Sequence, residues 1–287
     1  MSSPPTDGST ACEPIEQALL ERIGNGKIEL PLLPSVATEI LSMVNNPDSD
    51  AAKLASLIHR DQALAAHVLR IANSPAYMPR MPIVSLQHAV SMLGLTLLSE
   101  IAFTVSLKAG TFAAPGHERR MQFLWKHSLA SGVYAKEVAK LKRLNMESAY
   151  VCGLLHAVGK PVVLNTCVGL SAELKVALEP DLLDMLIDAH HVPLGMQLAD
   201  KWQLPKQARE SIAHYRQYDQ AESFKQEVMM ACVADRLATF LLDPAALDDV
   251  SLREHQAFAD LNLYPKDLDA LVAAKDQVAK VVDSLAL

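Results

Sequence analysis

The chain has 287 residues, half of them hydrophobic, with a formal net charge of -7 and a pI near 5.8. That is enough apolar material for one large domain or two modest ones. The acidic balance speaks against a general electrostatic grip on nucleic acid, which needs clustered Lys and Arg to displace counterions from phosphates. The four cysteines, Cys12, Cys152, Cys167 and Cys232, form no CxxC pair and read as reduced thiols rather than a disulfide framework.

Residues 1–13 open with Ser, Pro, Thr and Gly and offer little to bury, which predicts a mobile tail. No basic start leads into an apolar run, and the most hydrophobic stretch, residues 93–107, is interrupted by Thr96, Ser99, Glu100 and Thr104. A soluble cytoplasmic protein without a membrane partner is therefore expected. From Glu13 onward the pattern is helical, and residues 14–110 read as an N-terminal helical lobe. Gly24-Asn25-Gly26 lacks both the preceding strand and the lysine of a phosphate loop, so it reads as a turn.

Asp61 can cap a helix whose apolar stripe is Leu64, Val68, Leu69 and Ile71. Asn73, Ser74 and Pro75 end that helix, and the same three residues are candidates for a partner-facing surface. Ser85 can start the next helix. Leu93, Leu97, Ile101 and Val105 recur at spacing four, predicting one face of a single core helix. Residues 108–117 carry Gly110, Pro115 and Gly116 and form the best internal boundary. Beyond them, residues 118–242 read as a second helical lobe, with amphipathic segments at 123–144, 147–164, 182–202, 207–218 and 224–242. Residues 243–287 form a C-terminal helical extension ending in a helix over 266–285. Strand signals are nearly absent. The expected fold class is all-α, a multi-helix bundle.

His127, His156, His191, His214 and Asp235 each fall in a helical segment of the second lobe, and a bundle can aim such side chains at one metal centre. Ten histidines in 287 residues also produce accidental sets, so spacing alone decides nothing. His59, His67 and His88 have no motif-bearing neighbour and read as packing or surface residues. Trp125 and Trp202 read as core residues, although either ring could stack on a nucleotide. The run Lys136, Lys140, Lys142 and Arg143 ends a helix, where positive charge complements the dipole.

Local sequence around these residues is more specific. Trp125-Lys126-His127-Ser128, Gly153-Leu154-Leu155-His156-Ala157-Val158-Gly159-Lys160 and Val233-Ala234-Asp235 resemble, in order, the ligand motifs of the HD superfamily of metal-dependent phosphohydrolases. In the N-terminal lobe, Leu30-Pro31-Leu32-Leu33-Pro34-Ser35-Val36-Ala37, Asn46-Pro47-Asp48-Ser49 and Leu69-Arg70-Ile71-Ala72-Asn73-Ser74-Pro75-Ala76-Tyr77 resemble the HDOD family, the HD-related output domains. Ser85-Leu86-Gln87-His88-Ala89-Val90-Ser91-Met92-Leu93-Gly94 and the stretch from Val192 to Pro205 continue that likeness, which spans about Leu30 to His214.

The HD resemblance implies a pattern of His, His-Asp and a distant Asp that binds one or two divalent cations and activates water against a phosphoester. His127, His156 and Asp235 occupy three of those places, with His191 and His214 expected nearby. Ala157 stands where catalytic HD proteins carry the aspartate of the His-Asp pair, and a methyl group cannot ligate a cation. Tyr215 follows His214 where relatives often show paired histidines. Three N/O donors still suit a single divalent ion such as Zn, Fe, Mn or Mg. The HDOD resemblance implies a signalling module, probed by a protein partner or a nucleotide-derived ligand, rather than a hydrolase; the alternative is a metal-dependent phosphohydrolase acting on a cyclic or other nucleotide phosphoester. No sensor, kinase or receiver pattern occurs within these residues, and the sequence does not set the oligomeric state.

Overall fold

The computed structural model describes residues 13–44, 51–79, 81–111 and 114–286. The expected tail up to residue 12, Cys12 and the Asn46-Pro47-Asp48-Ser49 motif lie outside the described residues. Among the described residues there is helix and connecting turn but no strand, so the fold is all-α.

The first group of helices is α1 (Glu13–Gly24), α2 (Ser35–Val44), α3 (Ala51–His59), α4 (Gln62–Ala72), α5 (Leu86–Leu93) and α6 (Leu95–Thr111). Helix α4 begins where the Asp61 carboxylate accepts the amides of Ala63 and Leu64 at 2.9 and 3.0 Å, pairing two donors that a first turn leaves open. It ends at Asn73, whose Nδ2 donates to the carbonyls of Leu69 (2.8 Å) and Ile83 (2.9 Å) while its Oδ1 accepts the Ile83 amide at 2.8 Å. One side chain thus stops the helix and clamps the two ends of the following loop together. Ser85 caps α5 by accepting the His88 amide at 3.1 Å.

The leucine spacing from residue 93 suggested one continuous helix, and the structure corrects this. Gly94, at φ 85°, separates α5 from α6, so Leu93 sits on one helix and Leu97, Ile101 and Val105 on the next. Glycine takes that backbone conformation without the Cβ clash that other residues meet.

The second group is α7 (Glu118–Lys142), α8 (Met146–Leu155), α9 (Gly159–Leu174), α10 (Pro180–Lys201), α11 (Lys206–His214) and α12 (Lys225–Leu242), followed by α13 (Asp249–Arg253), α14 (Gln256–Asp260), α15 (Pro265–Ala273) and α16 (Lys275–Ala286). The apolar segment 147–164 is therefore two helices with a turn at residues 156–158, and the expected final helix is divided at Ala274. Two glycines set the spacing of this lobe. A Cβ on Gly153 would stand 2.5 Å from the Ser131 carbonyl oxygen, so α8 and α7 meet almost backbone to backbone. A Cβ on Gly159 would stand 1.8 Å from the His191 carbonyl oxygen, which locks the start of α9 against α10.

A single hydrophobic core runs through both groups and the C-terminal helices. Helix α1 packs on α9, and α16 packs on α7 and α6. The segment between α1 and α2 is tied to the end of α10, because Lys201 Nζ donates to the Leu30 carbonyl at 2.6 Å and Trp202 Nε1 to the Pro31 carbonyl at 2.9 Å. Met146–Leu174 is long and apolar enough to cross a membrane, yet 78% of its most apolar window is buried inside the fold. Cys152, Cys167 and Cys232 are unpaired and buried, and burial pushes each thiol up to about 12.

Candidate metal centre

Three helices converge to build the site. His127 lies on α7, His156 closes α8, and Asp235 lies on α12. The close approach at Gly153, three residues before His156, brings α8 onto α7 and sets the two imidazole centroids 6.1 Å apart. Asp235 Oδ1 stands 3.0 Å from His156 Nε2 and 3.7 Å from His127 Nε2, and one donor atom from each of the three residues lies within 4.8 Å of the others. With ligand bonds of about 2.0–2.2 Å, separations of this order are the edges of a coordination polyhedron.

The hydrogen bonds define each ring's role. His156 Nδ1 lies 2.7 Å from the Gly153 carbonyl, which can only accept, so Nδ1 carries a proton. In a neutral ring Nε2 would then point a lone pair at the Asp235 carboxylate. That contact is favourable when Nε2 is protonated or when a cation stands between the two atoms, and an Nδ1-H···O=C bond is the usual outer support of a metal-binding histidine. His127 is engaged differently. Its Nε2 is 3.1 Å from Thr239 Oγ1, and the Thr239 hydroxyl donates to the Asp235 carbonyl at 2.9 Å, so the hydroxyl oxygen accepts from the ring. Burial lowers His127 to about 4, against the pull of Asp235. Burial would raise the Asp235 carboxyl, but the His156 hydrogen bond and the charges of His156, His127 and Lys160 outweigh it and hold the group well below the usual carboxylate range.

The donor chemistry therefore fits one divalent cation held by His127, His156 and Asp235, provided the His127 proton moves from Nε2 to Nδ1, so that Nε2 offers the ion a lone pair in place of its N-H bond to Thr239. A second ion would lack its ligands. Ala157 is buried and supplies only a methyl group. His191 Nδ1 is 2.9 and 3.0 Å from the carbonyls of Ile187 and Asp188, so its Nε2 accepts, and the Tyr215 hydroxyl donates to it at 2.8 Å. Arg216 Nε donates in turn to the Tyr215 oxygen at 3.1 Å, and the Arg216 guanidinium pairs with Asp188. Burial, helped by the charges of Lys160 and Arg216, lowers His191 to about 4 and keeps it neutral. The buried Tyr215 ring packs edge-on to His156 at 4.6 Å. His214 ends α11, partly buried, outside the three-residue cluster.

Beside the cluster lies a cleft of about 750 Å³ lined by Arg119, Arg120, Phe123, Lys160, Asp184 and Asp188 among others. Arg120 pairs with Asp184. Burial holds Lys160 below its usual range, opposed by Asp235, which links the cleft to the cluster. The sequence reading missed Thr239, Arg216 and Lys160 as site residues, although Lys160 closes the quoted His156 motif. Asn73 spends its polar atoms on its own chain. Trp202 satisfies its indole as expected, whereas Trp125 Nε1 is buried with no partner among the described residues.

The HDOD domain family model matches residues 30–218. The chain belongs to the HDOD domain family. It is similar to the crystal structure of an HDOD domain protein of unknown function from Geobacter sulfurreducens, with a TM-score of 0.73, 26% identity, and coverage of 97% of this chain and 98% of that one. A candidate phosphohydrolase from Shewanella amazonensis SB2B shares the fold at a TM-score of 0.70 and 23% identity, covering 93% of this chain and 98% of that one. An uncharacterized protein of Treponema pallidum is 28% identical over 74% of this chain. The matched region amounts to 43% of that relative's length.

Proposed function

We propose that this HDOD chain is a signalling module that works by binding and not by turnover. Its N-terminal lobe, residues 14–110, and the cleft of the HD-like lobe, residues 118–242, would receive a protein partner or a nucleotide-derived signal, with residues 243–287 as a helical extension. The observation that carries this reading is the pair of changes at the centre. Ala157 removes one carboxylate, and the Tyr215 hydroxyl occupies the nitrogen of His191 that a second ion would need. A fold can persist in this way while its chemistry lapses.

The alternative is a metal-dependent phosphohydrolase. The His127, His156 and Asp235 cluster and the adjoining cleft with Arg119, Arg120 and Lys160 favour it. A divalent cation such as Zn, Fe, Mn or Mg on those three residues would supply Lewis acidity toward a phosphoryl oxygen. The basic side chains of the cleft would orient the anionic substrate, and Phe123 would offer it an apolar face.

Purified chain loaded with each of those metals and given a phosphodiester chromogen and cyclic dinucleotides separates the two. The binding reading expects no turnover above that of His156→Ala. Robust turnover that His156→Ala abolishes would establish the hydrolase.

A further inference from the structure

A cavity of about 520 Å³ lies where α6, α7, α9 and α16 meet beside the connector between the lobes. This is within the range of about 300–1,000 Å³ typical of small-molecule sites. Met121 and Trp125 of α7 and Pro161 of α9 give it an apolar wall, and Lys108 of α6 lines it beside Ala286 at the end of α16. The Trp125 indole nitrogen is sealed from solvent, so the ring enters the wall as apolar surface only.

Lys108 supplies the charge. Its ammonium donates to the Ala286 carbonyl, on a residue that also lines the cavity, and that bond uses one of its three N-H groups. A lysine on the last carbonyls of a helix is a common cap, but capping does not account for the company Lys108 keeps. Arg70 and His67 of α4 lie close enough to oppose its charge. Burial and then Arg70 hold the Lys108 ammonium below its usual range, and burial, Arg70 and Lys108 do the same to His67. Among the described residues no carboxylate pairs with Lys108 or Arg70. Glu118, the one acid in the described wall, is exposed, and its Oε1 accepts the Gly116 amide at 2.9 Å. In a chain of net charge -7, two cations gathered without an acid make a local centre of positive potential. A cation at the edge of an apolar cavity suits an anion with an apolar body.

We infer that this cavity binds an amphipathic organic anion, whose head group accepts from Lys108 Nζ while its apolar body rests on Met121, Trp125 and Pro161. The guest would touch the first group of helices, the second and the last helix at once, so occupancy would tie them together. The inference does not depend on whether the His127 cluster holds metal.

The test uses the full chain labelled at methionine methyls and tryptophan indoles for NMR. Decanoate is the anionic probe, decanol its uncharged counterpart and decylammonium its cationic one. Decanoate is expected to shift the Met121 methyl and Trp125 indole signals and to leave Trp202, which lies outside the wall, unmoved. Decanol should bind about tenfold more weakly, as loss of a charge-assisted hydrogen bond implies, and decylammonium more weakly still. Lys108→Met, which keeps an apolar side chain in the wall and removes the charge, should bring decanoate down to the decanol level. Added salt should weaken the binding of decanoate and spare that of decanol. Absence of Met121 and Trp125 shifts with decanoate at millimolar concentration would overturn the inference. So would decanol or decylammonium binding as tightly as decanoate, or decanoate binding unchanged in folded Lys108→Met. If Lys108→Met does not fold, the comparison of probes and the salt dependence decide the matter.

Discussion

A methyl group added to Gly159 by Gly159→Ala would lie 1.8 Å from the His191 carbonyl oxygen and 2.6 Å from the Gly195 nitrogen. Both are backbone atoms, so no rotamer change relieves the clash. Ordinary contact lies near 3.5 Å, so α9 and α10 must part by roughly 1.7 Å where His191 is held. Overpacking of this kind costs about 3 kcal/mol, near the top of the usual range. The better helix propensity of alanine returns at most about 1 kcal/mol. The net loss of about 2 kcal/mol corresponds to a fall in Tm of about 3 °C for a chain of this size. Gly169, on the same helix, has nothing within 4 Å of its added methyl, so Gly169→Ala is an internal control. It should gain about 0.5–1 kcal/mol through the unfolded chain and helix propensity. Thermal and urea unfolding followed by far-UV circular dichroism measures both. If Gly159→Ala unfolds at or above the wild-type midpoint, the tight α9–α10 contact is not what holds this lobe together.

Three further outcomes follow from the same geometry. Asn73→Ala removes the side-chain bond to Leu69 and both bonds to Ile83, and should cost about 1–2 kcal/mol and speed amide exchange at Ile83. Tyr215→Phe leaves His191 Nε2 without its donor in a buried site and should destabilise the chain by about 1–3 kcal/mol by urea titration; a neutral result would mean that His191 is oriented by α10 alone. Lys136→Met removes the charge that opposes the burial of Glu100, so the Glu100 carboxyl rises further. An acid whose folded pKa is raised binds more protons folded than unfolded, so stability is lost as pH rises from about 4, the ordinary carboxylate value, through the raised one. Lys136→Met should therefore match wild type most closely at acidic pH and fall behind it toward neutrality; a gap that narrows with rising pH would contradict the assignment.

Much of the architecture was legible in local signals. The Asp61 and Ser85 caps, the helix stop at Asn73 and the turn at Gly24-Asn25-Gly26 depend on short-range backbone chemistry that residue type reveals. The breaks at Gly94, at residues 156–158 and at Ala274 were not legible from apolar periodicity, which runs through a kink as readily as through a helix. At the centre, motif order placed His127, His156 and Asp235 together, as the three-helix convergence shows. Spacing could not show that Tyr215 ties up His191, because that contact joins α10 to the end of α11 across the lobe. Nor could it find Thr239, which lies one helical turn beyond Asp235 and carries no signature of its own. Glu100 looked like an interruption in an apolar run, and only packing reveals that one of its oxygens is sealed without a partner.

The central claim is that Ala157 and Tyr215 have left this centre without the ligands of a working HD hydrolase. Metal content by elemental mass spectrometry, compared among wild type, His156→Ala and Ala157→Asp, tests it most directly. The account predicts at most one equivalent of metal in the wild type, lost in His156→Ala, and a clear rise toward two in Ala157→Asp. Two equivalents in the wild type would contradict it.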